Sequence, residues 1–188
     1  MTRPTPGPLA DLERAFDAAA AIVEAVPADR RDAPTPCTDW TVADVVEHVI
    51  AGNLAVARSL GPDPADAVAG SLAPRLRSSA EALVAGLAAP GVLAGTVTVP
   101  FGTVPAPVAV QLRTIEALVH GWDVAVGSGQ DPTGLPDDLA EAGIAFTGSV
   151  FATRDRAGLP FAPAVPVEDD APAIDRLAGL LGRADPRR

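Results

Sequence analysis

The chain has no lysine and no tyrosine, and only one cysteine, one methionine, two tryptophans and two histidines. Without lysine there is no Schiff-base chemistry and no lysine general base; without tyrosine there is no phenolic acid. A lone cysteine cannot close an internal disulfide, so a reducing, cytoplasmic setting is expected. Aromatic residues make up only 4%, so the core must be built from Ala, Val and Leu, which suit close helix–helix packing better than a sheet sandwich. No apolar run reaches the ~20 residues of a membrane span. The N-terminus, with Pro4, Pro6 and Pro8, lacks the apolar centre of a signal peptide. Net charge is −10, and no stretch concentrates arginine, so phosphate neutralisation is absent and nucleic acid is not an expected partner. Chemistry is left to two histidines, one cysteine, carboxylates, hydroxyls and fourteen arginines.

What is present is a 48% apolar chain of 188 residues, enough for one domain with its own core. Its apolar positions recur at helical spacing. Leu9, Leu12, Phe16, Ala19 and Val23 predict a helix over 9–26, stopped by Pro27. Thr41 and Asp44 form a capping-box signature ahead of a second helix that runs to residue 60, with Trp40 placed to staple onto Val45. A Gly-Pro-Asp-Pro turn at 61–64 leads to a third helix over 65–88, in which Pro74 marks a kink or the true start. Residues 96–102 alternate in extended fashion and are read as a connector too short to build a sheet. The fourth helix, 107–127, has the most regular seam: Val108, Leu112, Ile115, Val119, Trp122 and Val126. Helices over 136–151 and 170–181 flank a proline-rich extended stretch, and residues 1–7 and 183–188 are expected to fray. The fold class expected is all-α, an antiparallel four-helix bundle with a C-terminal helical and extended extension.

Both histidines lie on predicted helices. Glu116 and His120 are four residues apart, so they project from one side of the fourth helix. His48 falls on the border of the second helix's apolar face. If those borders met, two imidazoles and a carboxylate would suit zinc, or iron, nickel or manganese, and would leave positions open to water or substrate. From spacing alone, the alternative stands: a surface Glu–His pair and a histidine of the helix flank.

Two segments carry a resemblance. Thr35-Pro36-Cys37-Thr38-Asp39-Trp40-Thr41-Val42-Ala43-Asp44-Val45-Val46-Glu47-His48-Val49 and Glu116-Ala117-Leu118-Val119-His120-Gly121-Trp122-Asp123-Val124-Ala125 resemble the DinB-like metal-binding superfamily. The branch most resembled is the mycothiol-dependent maleylpyruvate isomerase N-terminal domain group, common in actinobacteria. Pro100-Phe101-Gly102 and the run from Pro163 to Asp170 agree more softly. The resemblance implies a bundle with His48, Glu116 and His120 as metal ligands and mycothiol as cosubstrate. The named isomerases carry a further α/β domain, whereas here only residues 128–188 follow the later helix; isomerase activity is therefore not carried over from the name.

Other residues admit two readings each. Asp123 either orients His120 or is a solvated carboxylate. Arg113 grips a substrate carboxylate or pairs with Glu116. Cys37 is a thiol activated by the following helix or, the preferred reading, a loop residue packed under Trp40. Trp40 and Trp122 read as core, Gly127-Ser128-Gly129 as a helix terminus, and Asp44 as a second candidate base beside Asp123. Three functions are open: a metal enzyme transferring or isomerising through a small thiol, a metal-dependent hydrolase, lyase or cyclase, and a non-catalytic metal-containing module. A small-molecule substrate is expected, and homodimerisation through an apolar helix face is compatible with the fold class.

Overall fold

The N-terminus of the second helix shows how local sequence sets this structure. Thr41 Oγ1 accepts from Asp44 N at 3.2 Å while the Asp44 carboxylate accepts from Thr41 N at 2.9 Å, the reciprocal bonds of a capping box. These start α2 (Val42–Leu60). The computed structural model describes residues 7–61, 70–99, 102–152 and 162–186. Around α2 it places α1 (Pro8–Glu24), α3 (Leu72–Leu87), α4 (Ala106–Ser128), α5 (Asp137–Phe151) and α6 (Ala173–Leu180). Expectations for residues 1–6, 62–69, 100–101, 159–161 and 187–188 fall outside the described residues. Pro74 lies in the first turn of α3, where its missing N–H costs nothing.

Residues 96–99 and 102 depart from the sequence reading. They do not form a lone connector: β1 (Thr96–Val99) pairs antiparallel with β2 (Gly102–Pro105), Thr96 facing Pro105 and Val99 facing Gly102. A two-stranded ribbon is marginal by itself. Here Val97 and Val99 are buried, and β1 packs on α2 and α4, so the helices supply the apolar surface that the short strands lack.

Among the described residues the molecule is mostly helical with one small ribbon. Helix α1 packs on α3 and α4, and α2 packs on the same two. The seam of α1 (Leu12, Phe16, Ala19, Val23) and that of α2 (Val42, Val45, Val46, Val49, Ile50) are buried. From residue 117 to 128 α4 is buried on every side, because α5 and α6 also lie on it. Small residues allow this: a Cβ on Gly121 would meet Leu135 Cδ2 at 3.0 Å and Ala19 Cβ at 3.3 Å. The helix closes on Gly129 in the left-handed region, φ 82°, as glycine after a C-terminus does. Among the described residues no helix is long and apolar enough to cross a membrane.

Candidate metal centre

Three elements converge at the middle of α4: α2, α4 itself, and the loop before α2. That loop is held by its own hydrogen bonds. Thr35 Oγ1 donates to Trp40 O at 2.9 Å, Trp40 N to Cys37 O at 3.1 Å, and Cys37 N to Thr35 Oγ1 at 3.2 Å. Asp39 takes a left-handed turn, φ 67°, which a short polar side chain tolerates. The loop closes on α4 because Gly127 has no side chain; a Cβ there would lie 2.9 Å from Pro34 O.

The packing brings His48, Glu116 and His120 together. Glu116 Oε2 is 3.6 Å from His48 Nε2 and 3.6 Å from His120 Nε2. One donor atom from each residue lies within 4.8 Å of the others. Two donors at ~2.0–2.1 Å from a tetrahedral zinc sit about 3.4 Å apart, so the spacing fits a first-row divalent ion. The His48 side chain is 43% exposed and that of His120 only 9%; the centre opens to solvent on the α2 side. Trp40, half-buried, sits against both imidazoles, ring centroids 4.6 Å from His48 and 6.2 Å from His120. It lines the site, whereas Trp122 is core, 1% exposed.

Glu116 is enclosed by Arg113 and the two imidazoles. Burial by itself would raise its carboxyl, but the hydrogen bond from His48 and the charges of Arg113, His120 and His48 prevail and hold it at about 2. Arg113 approaches Glu116 Oε2 at 3.4 Å and turns the rest of its guanidinium inward, donating to Asn53 Oδ1 at 2.6 Å and Val49 O at 3.2 Å. Asn53 in turn donates to Ser79 Oγ at 3.0 Å. The arginine is buried, its Nε lacks an acceptor among the described residues, and burial pushes its guanidinium down against the pull of Glu116. Of its two sequence readings, the pairing with Glu116 is the one the geometry carries. Gly52 makes the room: a Cβ there would lie 2.8 Å from Arg113 Nη1.

Asp123 is not solvated. It is 0% exposed, and Oδ2 lies 3.0 Å from His120 Nδ1. A carboxylate only accepts, so Nδ1 carries the hydrogen, and in the neutral imidazole Nε2, facing Glu116, keeps its lone pair. Asp44 is committed to the cap of α2, and its hydrogen bonds with Thr41 lower its carboxyl, which removes it as a candidate base.

A second donor set, Cys37, His120 and Asp123, shares His120. Its cation is already supplied by the protein: Arg183 Nη2 lies 3.4 Å from Cys37 Sγ and 3.2 Å from Asp123 Oδ2. Burial raises the Cys37 thiol more than Arg183 lowers it, contrary to an activated thiol at a helix start. Sequence reading missed Asn53, Ser79, Gly52 and Arg183. The Gly52-Asn53 pair, two poor helix formers inside α2, was a usable signal; Arg183, in a stretch expected to fray, offered none.

These features define a helical protein with a two-histidine, one-carboxylate centre opening to solvent. The chain belongs to the family of the mycothiol maleylpyruvate isomerase N-terminal domain, whose model matches residues 12–125. An uncharacterized protein of Mycobacterium tuberculosis, strain CDC 1551 / Oshkosh, is 38% identical over 178 residues, covering 94% of this chain and 97% of its own. Its counterpart in strain H37Rv gives the same values. No solved structure matches the chain at a significant level.

Proposed function

We propose that this protein is a divalent-metal-dependent, thiol-using enzyme of the DinB-like type, a four-helix bundle whose ligands are His48, Glu116 and His120. The observation that carries the reading is the meeting of the two imidazole Nε2 atoms on one carboxylate oxygen, each 3.6 Å away. Zinc suits the donor set best, with nickel, iron and manganese as the other candidates. When bound, such an ion supplies Lewis acidity and favours the anion of a thiol or water that joins it.

The residues around the ligands support an anionic partner such as a thiolate. Glu116 faces Arg113, and Asp123 faces Arg183. The formal charges of the two carboxylates are cancelled by the two arginines, so a dication here keeps its charge for an incoming anion. Glu116 stays ionised at neutral pH. Asp123 orients His120, Trp40 walls one side, and exposed His48 marks the side from which a substrate enters. A small thiol of the mycothiol kind, suggested by the family, would attack as its thiolate a small electrophile in the cytoplasm: loss of a leaving group from the attacked carbon gives S-transfer, and addition followed by expulsion of the same thiolate gives cis–trans isomerisation.

Elemental mass spectrometry on the wild type, His48→Ala and His120→Ala tests the first half, with circular dichroism to check folding. About one metal per wild-type chain, lost in both folded variants, is the expected result. A wild type that stays metal-free after loading with zinc, nickel, manganese or anaerobic iron would refute it. Thiol conjugation of electrophiles by the loaded protein then tests the second half.

A further inference from the structure

Arg183 lies beyond the residues that the family model matches, in a segment with no ligand of its own, yet it reaches the centre. The C-terminal segment is docked firmly. Ile174, Leu177, Ala178 and Leu181 are buried, Trp122 Nε1 on α4 donates to Asp175 Oδ1 at 2.7 Å, and Val165 N donates to Gly179 O at 2.9 Å. After α6 the chain turns through Gly182 at φ 86°. Only glycine fits, since a Cβ would also lie 2.7 Å from Ala162 O. That turn aims Arg183 back at α4.

There its fork meets Asp123. Nε lies 3.3 Å from both carboxylate oxygens and Nη2 lies 3.2 Å from Oδ2, while Nη1 donates to Leu181 O at 3.3 Å. The Arg183 side chain is 12% exposed. A buried carboxylate held on one side only by an imidazole N–H could rotate or accept elsewhere. A guanidinium anchored to backbone and spanning both oxygens removes that freedom. The constraint passes to His120, whose Nδ1 lies 3.0 Å from Asp123 Oδ2.

Resting on the metal reading above, we propose that Arg183 is a positioning residue of the metal centre. By fixing Asp123 it keeps the His120 hydrogen on Nδ1 and the Nε2 lone pair toward Glu116, so the C-terminal segment is part of the site. Arg183 touches neither substrate nor ion and acts through two other side chains.

The test uses the full chain with two readouts. Nitrogen-15 NMR of labelled histidine, on metal-free protein well above the histidine titration range, reads the His120 tautomer. Competition with a chromophoric chelator reads zinc affinity. In Arg183→Ala, zinc affinity should fall, by at most the roughly 10- to 100-fold that losing the direct partner of a ligand histidine costs. His120 should become a mixture of tautomers with His48 signals unchanged. Arg183→Lys, which keeps the charge without the fork, should recover part of both. A folded Arg183→Ala with wild-type affinity and a wild-type His120 tautomer would overturn the proposal. If circular dichroism shows that Arg183→Ala does not fold, Arg183→Lys and Arg183→Gln decide: tautomer mixing supports the proposal, and wild-type behaviour in both refutes it. A wild type that binds no zinc would sink the metal reading alone, because the metal-free tautomer still tests Arg183.

Discussion

At the residue scale, Arg113 and Trp40 have roles that spacing could not separate. Arg113 donates to Asn53, Val49 O and Glu116 from inside the protein, so its loss leaves an acceptor set unpaired. Removing one partner of a buried pair costs about 3–5 kcal/mol; Glu116 is 31% exposed, which places Arg113→Met at the lower end, about 3 kcal/mol. Urea denaturation should show that loss, and the double variant Arg113→Met/Glu116→Gln should recover part of it, because the orphaned charge is gone. A stability unchanged by Arg113→Met would mean that the guanidinium is not structural. Trp40 lies against both proposed ligand rings, so cobalt(II) or nickel(II) binding should quench its fluorescence. The quench should vanish in Trp40→Phe, leaving only buried Trp122. Equal quenching in that variant would place the ion elsewhere.

At the scale of elements, the start of α2 was legible because a capping box is local: Thr41 and Asp44 are three residues apart and need nothing else. Thr41→Ala should cost about 1 kcal/mol in thermal or urea unfolding. The Asp44 carboxyl is lowered in the folded state from an ordinary 3.8 by its bonds to Thr41. Its contribution is therefore present above that value and lost as pH falls through the lowered one. The stability difference between wild type and Asp44→Ala should accordingly shrink at acid pH; a difference that grew there would contradict the assigned bonds. The β1–β2 ribbon was not legible, since its apolar face is completed by α2 and α4 and not by neighbouring sequence. Gly127 shows the same dependence. Ala is the better helix former by up to ~1 kcal/mol, but its Cβ would press on Pro34 O and Thr35 Cγ2, both at 2.9 Å. Overpacking costs about 1–3 kcal/mol, so Gly127→Ala should destabilise, and an increase in melting temperature would show that the loop yields freely.

At the scale of the whole molecule, α4 is the axis on which the other elements depend. It carries Glu116, His120 and Asp123, touches α1, α2, α5 and α6, and is covered over its second half. The C-terminal segment buries Ile174, Leu177 and Leu181, which is on the order of 5 kcal/mol of apolar burial. That is comparable with the entire stability of a typical domain. A chain ending at residue 152 should thus unfold at much lower urea concentration, or fail to stay in solution, although the family-matched residues 12–125 are intact. Wild-type urea stability in the truncated chain would show that α6 is only an appendage.

Sequence by itself determined most of the helices, the cap of α2 and the pairing of Glu116 with His120 on one helix face, because 3.6-residue periodicity, capping chemistry and four-residue spacing all act within a few turns of one chain; His48 joined them as a candidate ligand through the family resemblance. Sequence also pointed to the helix terminus at Gly127-Ser128-Gly129 and the core role of Trp122. Tertiary structure alone decided whether His48 meets Glu116 and His120, that Asp123 is buried against His120, and that Arg113 faces inward through the gap left by Gly52. It alone decided that Arg183, 60 residues from Asp123, lies against it. Contacts between distant segments depend on how whole helices cross and how closely small residues let them approach, and neither is written in local spacing.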